Sequence, residues 1–500
     1  MMRDWIIIVL LAISIFATGG CGGGVAVDWD TDAWEYTRST DTNLRETEWS
    51  ISWSIGEVEP AITSITCDPD CNIAVTDTWH QESMGFAHRG PDGWYAGKSS
   101  NVTSLRKFDM GGNVYWSRTW AGQSNRDNWF EFSDVDADSD GNLYVAGYMS
   151  GTVDFDPGEG VEEVTSNGGN DAFVCKFDPD GNFVWVRTWG GENHDGATGV
   201  AVNGYGAVAV GGHYYGTVDF DPGDGVEEHE SSEEAFGYFM SRFDSDGNFL
   251  WVHTWEGGGL SGDRDFFRVL VEMNWEGNVA CVSPNDGAVN PTLWISARGT
   301  EGRGIRTMEY REQTNIMRLD PTGEVEFEWL WDVTCTGIKI DGENRVFACG
   351  WFAGVADMDP SPQRNEQFSE GVSAGAERDP VLCRFGETGR VEWFDRWGSV
   401  EDDYPFGLAM GSNGWLYVSG TFGGIADFDP GGAQFVYELK TCVGEEIPFN
   451  TFVSSFSPEG EWTRGRTWPR MDEDGRVEVS DTGWVISTSG STGMLTKSGM

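Results

Sequence analysis

The stretch A-F-V-C-K-F-D-P-D-G-N-F-V-W-V-R-T-W, residues 172–189, decides the fold. Apolar and polar residues alternate on both sides of Asp178-Pro179-Asp180-Gly181, the pattern of two strands joined by a tight turn. Nearly the same run returns as F-M-S-R-F-D-S-D-G-N-F-L-W-V-H-T-W at 239–255. Related runs end at Trp53, Trp120, Trp331, Trp397 and Trp468. The seven tryptophans that close these runs are 67, 69, 66, 76, 66 and 71 residues apart. Such a period marks a repeat unit, and it has to be read before 500 residues are divided by an ordinary domain size.

A second hairpin signature lies between successive tryptophans, clearest as S-D-V-D-A-D-S-D-G-N-L-Y-V-A-G at 133–147. Relatives stand at 65–75, 200–211, 271–282, 338–350, 408–420 and 477–487, so both signatures occur seven times. Two hairpins per unit make a four-stranded antiparallel sheet. One such sheet cannot cover both of its faces, whereas a ring of them buries each face against a neighbour. The expected fold is therefore all-β, a seven-bladed β-propeller of four-stranded antiparallel blades. The chain opens with outer-hairpin sequence at 34–40 and 48–53 and closes with an inner hairpin at 476–487. One blade should accordingly join N-terminal outer strands to C-terminal inner strands and remove a free edge.

These units resemble the bacterial seven-bladed β-propeller repeat (SBBP) family. The resemblance is carried by F-D-P-D-G-N-F-V-W-V-R-T-W-G-G at 177–191 and by the hairpin at 133–147, and it runs over essentially the whole mature chain. It implies the propeller fold and an envelope or surface location, and it brings no shared catalytic residues.

Composition narrows the function classes. The chain has 82 Asp+Glu against 32 Lys+Arg, a formal charge of −50, so it offers no basic patch for phosphates and nucleic acid is excluded as a partner. With 39% hydrophobic residues and 25 Trp it folds rather than staying disordered. In a propeller the tight turns emerge on one face and the connections between hairpins on the other. Acidic residues recur in those connections, which focuses negative potential around one mouth. The ligand-face candidates there are Asp127, Trp129, His194, Asp195, Asp263, Asp265, Asp402, Asp403 and Tyr404.

Calcium is the metal these acids suggest, since it takes hard oxygen ligands. Four D-x-D-P segments supply Asp154 and Asp156, Asp219 and Asp221, Asp357 and Asp359, and Asp427 and Asp429. Within each pair a spacing of two points both side chains to one side of a strand. The competing reading is that these carboxylates hold loop amides. Asp136, Asp138 and Asp140 resemble the start of an EF-hand loop, without its downstream acidic ligand. Cys67 with Cys71, and Cys335 with Cys349, flank turns and are the disulfide candidates.

At the amino terminus an apolar run, Trp5 to Ala17, precedes Thr18-Gly19-Gly20-Cys21. It reads as a lipoprotein-type signal peptide, residues 1–21, ending at a lipidated Cys21. Residues 22–27 then form a Gly-rich tether, and 28–500 a single propeller. The expected location is the bacterial cell envelope, as an outer-membrane or surface lipoprotein, or secreted or periplasmic if Cys21 is not lipidated. The partners are the membrane, through that anchor, and a protein or glycan ligand, the chain being monomeric. No serine-elbow motif or histidine cluster stands out, so the function read from the sequence is a binding or scaffolding propeller with an acidic mouth. The alternative is an envelope enzyme, a hydrolase or lyase acting on an extracellular polymer at that mouth.

Overall fold

The computed structural model describes residues 35–39, 47–54, 61–81, 88–90, 93–95, 100–109, 111–121, 129–232, 235–259, 268–285, 313–361, 365–368, 378–399, 401–430, 436–438, 450–469, 477–479, 484–489 and 494–499. The chain separates into residues 1–34 and 35–500. Residues 1–34, where the sequence predicts a signal segment, Cys21 and a tether, lie outside the described residues, as do Asp127, Asp263 and Asp265.

Every regular element among the described residues is a strand, and the strands build a β-propeller of four-stranded antiparallel blades. Blade 1 comprises Ala61–Cys67, Ile73–Gln81, Ser100–Phe108 and Val114–Ala121. Blade 2 comprises Trp129–Ala137, Leu143–Ser150, Asp171–Phe177 and Phe183–Trp189. Gly196–Val202, Val208–Tyr214, Ala235–Phe243 and Phe249–Gly259 make blade 3. Blade 4 holds Leu270–Met273, Val279–Asn285, Gln313–Leu319 and Val325–Trp331. In blade 5 the strands are Thr334–Ile340, Val346–Ala353, Arg378–Phe385 and Val391–Arg396. Asp403–Met410, Leu416–Phe422, Asn450–Phe456 and Trp462–Pro469 form blade 6. Within each blade the strands run from innermost to outermost in chain order, and the innermost strand of each blade touches that of the next.

Six four-stranded blades stand where the sequence predicts seven. The strands of the remaining copy lie in a five-stranded sheet ordered Glu35–Ser39, Thr47–Ser54, Met494–Gly499, Trp484–Ser489, Val477–Val479. The two chain ends do share a sheet, as expected, but a further strand, Met494–Gly499, enters between them. Its sequence, M-L-T-K-S-G, carries none of the repeat's markers, which is why the repeat count misses it. Val477–Val479 contacts the innermost strands of both blade 6 and blade 1.

The terminal tryptophan of a unit packs into the core of the following blade. Trp120 meets Phe132 and Phe177 at ring separations of 5.0 and 5.6 Å, and Trp189 meets Phe239 and Phe243 at 5.8 and 5.3 Å. Trp331 and Trp397 do the same against Phe385 and Phe456. Burying rings of this size supplies much of the force between blades.

Direction is added by hydrogen bonds to the D-P-D-G turn. Trp116 Nε1 donates to Pro179 O at 2.9 Å, and Arg118 donates to the carbonyls of Gly181 and Asp180. Arg187 repeats this toward Gly247 and Asp246. Gly181 has φ +75°, and a Cβ there would stand 2.8 Å from the Trp116 ring. Glycine is thus required twice over, by the turn and by the tryptophan.

Candidate functional site

The D-x-D-P segments follow the second strand of their blades and form short two-stranded ribbons, such as Thr152–Asp154 with Glu163–Thr165. Alternation puts the apolar residues inward. Val153 with Phe155, Val218 with Phe220, Ala356 with Met358 and Ala426 with Phe428 are all buried in blade cores. The aspartates fall on the other side and bind backbone. Asp154 Oδ1 accepts from the amides of Asp156 and Glu162 at 3.1 and 2.8 Å, and Asp156 Oδ1 from Gly158 at 2.8 Å. Asp219 and Asp221 repeat these bonds toward Asp221, Glu227 and Gly223. Asp357 accepts from Asp359 and Asn365, Asp359 from Ser361, and Asp427 from Asp429. These motifs cap the blades, with apolar residues as the plug and carboxylates fixing the loop.

The Asp136-Asp138-Asp140 run diverges from an ion-binding loop in the same way. Asp138 is buried and closes the inner hairpin turn by accepting from the amides of Asp140 and Asn142 and from Tyr144 Oη at 3.0 Å. Asp136 is a stitch between blades, accepting from Thr66 Oγ1 of blade 1 at 3.3 Å and from Val202 N of blade 3 at 2.8 Å. Its neighbour Asp134 does likewise with Ser64 Oγ and Val200 N, a role the sequence reading missed. Asp140 is exposed. Among the described residues no group of three or more His, Cys, Asp or Glu side chains is placed to hold a metal ion.

Of the disulfide candidates, the Cys335 and Cys349 pair is placed differently from expectation. Cys335 and Cys349 are free thiols on opposite sides of blade 5, Cys349 in the core shared with blade 6 and Cys335 against the other core. Burial pushes the Cys349 thiol up to about 12, so it is protonated and inert. Cys67 ends its strand, and Cys71 takes the left-handed turn position, φ 61°, that Gly141 takes in blade 2.

The connection face gathers the remaining candidates at two junctions. Between blades 2 and 3, Asp195 is 1% exposed, and its two oxygens accept from Gly191 N at 2.7 Å and Tyr215 N at 3.0 Å. It therefore clasps the exit of blade 2 to the exit of the second strand of blade 3. Between blades 5 and 6, Asp403 holds Ser399 N at 2.5 Å and Gly423 N at 3.0 Å in the same manner. Each has a buried carboxyl companion at the head of the preceding blade's third strand, Asp171 and Asp379, exposed by 2% and 0%. Desolvation pushes Asp171 and Asp195 up to about 6, with Asp171 adding to the shift at Asp195. It pushes Asp403 up to about 8, with Asp379 as the nearby like charge.

The companions went unnoticed although the repeat marks them. Asp171 and Asp379 stand four residues before Cys175 and Cys383. The copies that carry them have an Asp six residues after the terminal tryptophan, at 195 and 403, a feature shared only with Asp474 after Trp468. Elsewhere the strand position is Val102, Gly237, Gln313 or Asn450.

Around these pairs the face is lined by rings. Trp129 Nε1 and Tyr148 Oη both donate to Glu131 Oε2, at 3.2 and 2.8 Å, forming a half-exposed aromatic and acidic cluster on blade 2. His194 is exposed, and its Nδ1 accepts from Asn170 N, so it acts as a loop tie. Asp402 takes the equivalent place and accepts from Arg378 N at 3.1 Å. The Arg378 guanidinium lies 4.7 Å from the Trp351 ring and 5.3 Å from that of Tyr404, and donates to Tyr404 Oη at 2.7 Å. Phe130, adjacent to Trp129, is 1% exposed and belongs to the core.

No family model matches the chain. It is 26% identical over 160 residues to an uncharacterized WD repeat-containing protein of Acanthamoeba polyphaga mimivirus, covering 30% of this chain and 11% of that one. It is 27% identical over 155 residues to the regulatory protein FlaEY of Caulobacter vibrioides, covering 30% of this chain and 15% of that one. The chain thus spans a small part of these relatives' length. Among solved structures, the rhamnogalacturonan lyase YesW aligns at TM-score 0.30 and 11% identity, over 89% of this chain and 72% of that one. A protein of unknown function from Bacteroides caccae aligns at TM-score 0.29 and 9% identity, over 70% of this chain and 90% of that one. Likeness this remote carries no information about substrate.

Proposed function

We propose that the chain is a binding or scaffolding propeller of the cell envelope, tethered through a lipid on Cys21, with seven blades of which the five-stranded sheet is the last. One observation carries the non-enzymatic reading. The repeated carboxylates, which the sequence offers as metal and ligand-face candidates, accept backbone amides within and between blades. Calcium draws no support from that geometry. The ligand-facing surface is the connection face, where Trp129, Glu131 and Tyr148 form a half-exposed cluster suited to stacking on and hydrogen bonding to a glycan or a protein side chain.

The seventh blade is supported by the contacts of Val477–Val479 with the innermost strands on both sides. Purified chain incubated with cell-wall and capsular polysaccharides should retain one of them, or an envelope protein, without changing its length. Trp129→Ala should weaken that retention at least tenfold. Release of shorter or unsaturated products would replace this reading with the enzymatic one. Cys21→Ala should move the protein from the membrane to the soluble fraction; unchanged membrane retention would remove the anchor.

A further inference from the structure

The third strands of blades 1 to 5 each carry a cation at one register position, opposite an aromatic residue of the outermost strand: Lys107, Lys176, Arg242, Arg318 and Arg384. Four of these have a carboxylate partner. Asp68 pairs with Lys107 at 2.8 Å, Asp138 with Lys176 at 3.9 Å, Glu326 with Arg318 at 2.5 Å and Glu392 with Arg384 at 2.8 Å. The same four donate to a carbonyl of the next blade's outer turn, at Pro179, Ser245, Glu387 and Pro458.

Arg242 has neither. Blade 3 places Asn203 where blades 1 and 2 place Asp68 and Asp138, and Leu250 where blades 4 and 5 place Glu326 and Glu392. The matching carbonyl, Pro321 O, accepts from Trp251 Nε1 at 3.0 Å. Arg242 is 4% exposed, and its Nε is buried with no partner. Its one acceptor among the described residues is the Met273 thioether, which is weak and carries no charge. Desolvation alone pushes the guanidinium down to about 10, so at neutral pH it is a buried cation without a counter-charge.

The free edge of that guanidinium meets the turn face of blade 4. A Cβ on Gly277 would lie 2.9 Å from Arg242 Nη2 and 3.6 Å from Pro321 Cβ, and glycine at φ +92° leaves that space unfilled. Trp275, two residues earlier in the same turn, is 58% exposed, with its Nε1 over Gly342 of blade 5. Exposed Tyr205 stands on the adjoining turn, which Asn203 Nδ2 joins to Trp275 O at 3.5 Å.

We propose that this seam between blades 3 and 4 is a second binding site, on the face opposite the Trp129 cluster, for a uronic acid residue of an extracellular glycan. Its carboxylate enters beside Gly277 to meet Arg242, and its ring lies on Trp275. The surrounding acids narrow the choice of anion. Asp244 and Asp320 are closed on their own turns, whereas Asp246 and Glu276 are exposed and repel polyanions. A single carboxylate on an otherwise uncharged ring suits that field better than a phosphate or sulfate polymer.

The test is calorimetric titration with a glucuronate-bearing disaccharide and with the same disaccharide after its acid is reduced to the alcohol. The native chain should bind the acid about tenfold or more tighter than the alcohol. Asn203→Asp offers Arg242 the internal carboxylate that Asp138 offers Lys176, and it should erase that preference. Should that variant fail to fold, Arg242→Gln takes its place with the same expectation. Trp275→Ala should weaken both ligands alike, and Tyr115→Ala, removing an exposed ring elsewhere, should change neither. Overturning results are no binding of the acid by the native chain, equal binding of acid and alcohol, or a preference that survives in Asn203→Asp. Tighter binding of an aspartate-bearing peptide than of the disaccharide would overturn the assignment to a sugar.

Discussion

The junction between blades 2 and 3 and the junction between blades 5 and 6 share a carboxyl pair but fill the space beside it from opposite strands. At the first, Gly196 on the innermost strand faces His213 on the second. At the other, Tyr404 on the innermost strand faces Thr421. A Cβ on Gly196 would lie 3.1 Å from His213 Cε1 and 3.5 Å from Tyr148 Cβ, so only one ring fits there. The lesson is that both junctions keep the clasp to the backbone, while the ring beside it and the strand that supplies it are free to change. That freedom is where the two junctions differ chemically, neutral His213 in one and the Arg378 clamp in the other.

The comparison is broken most sharply at its common core. Trp189→Ala and Trp397→Ala should each destabilise by about 3–5 kcal/mol in denaturant unfolding, because both rings seat in the next blade's aromatic cluster. A loss at one site without the other would show that the junctions are not equivalent.

Ring exchange comes next. Gly196→Tyr alone should cost about 1–3 kcal/mol by overpacking, and adding His213→Thr should recover most of it. No recovery in the double variant would mean the two positions do not share one niche.

A smaller contrast lies on the outermost strands. Arg187 stacks 5.4 Å from Trp185 and bonds the next blade's turn, whereas the matching place after Trp393 holds Asp395 beside Gly460. Desolvation, with Asp429 second, pushes Asp395 up to about 6. Arg187→Ala should lose about 1 kcal/mol, and Asp395→Arg should gain a similar amount. Chelation of divalent ions should leave Tm unmoved at both junctions, and a fall would return the D-x-D-P carboxylates to calcium.

The fold was legible because turn chemistry and alternation recur at fixed positions. Gly181 and Trp116 can be assigned from the repeat before any coordinates are known. The same regularity hid the strand Met494–Gly499, whose residues match no copy. Charge misled for a physical reason: Asp154 and Asp138 look like ion ligands in a list, but a carboxylate two residues before a free amide closes a turn first. Asp195 and Asp403 read from the sequence as ligand-face acids, yet they are buried, because the connection folds back over the blade exits. Tyr404 and Trp129 remain on that face, half-exposed, with their polar atoms engaged.

The pairing of the two chain ends is the most exposed consequence of the ring. Ser50 and Thr496 are register partners between Thr47–Ser54 and Met494–Gly499. Cysteines introduced at both positions should form a single intramolecular cross-link under mild oxidation of the folded protein, identified by peptide mass spectrometry. A folded double variant in which position 50 never links to 496, or links only between molecules, would contradict ring closure.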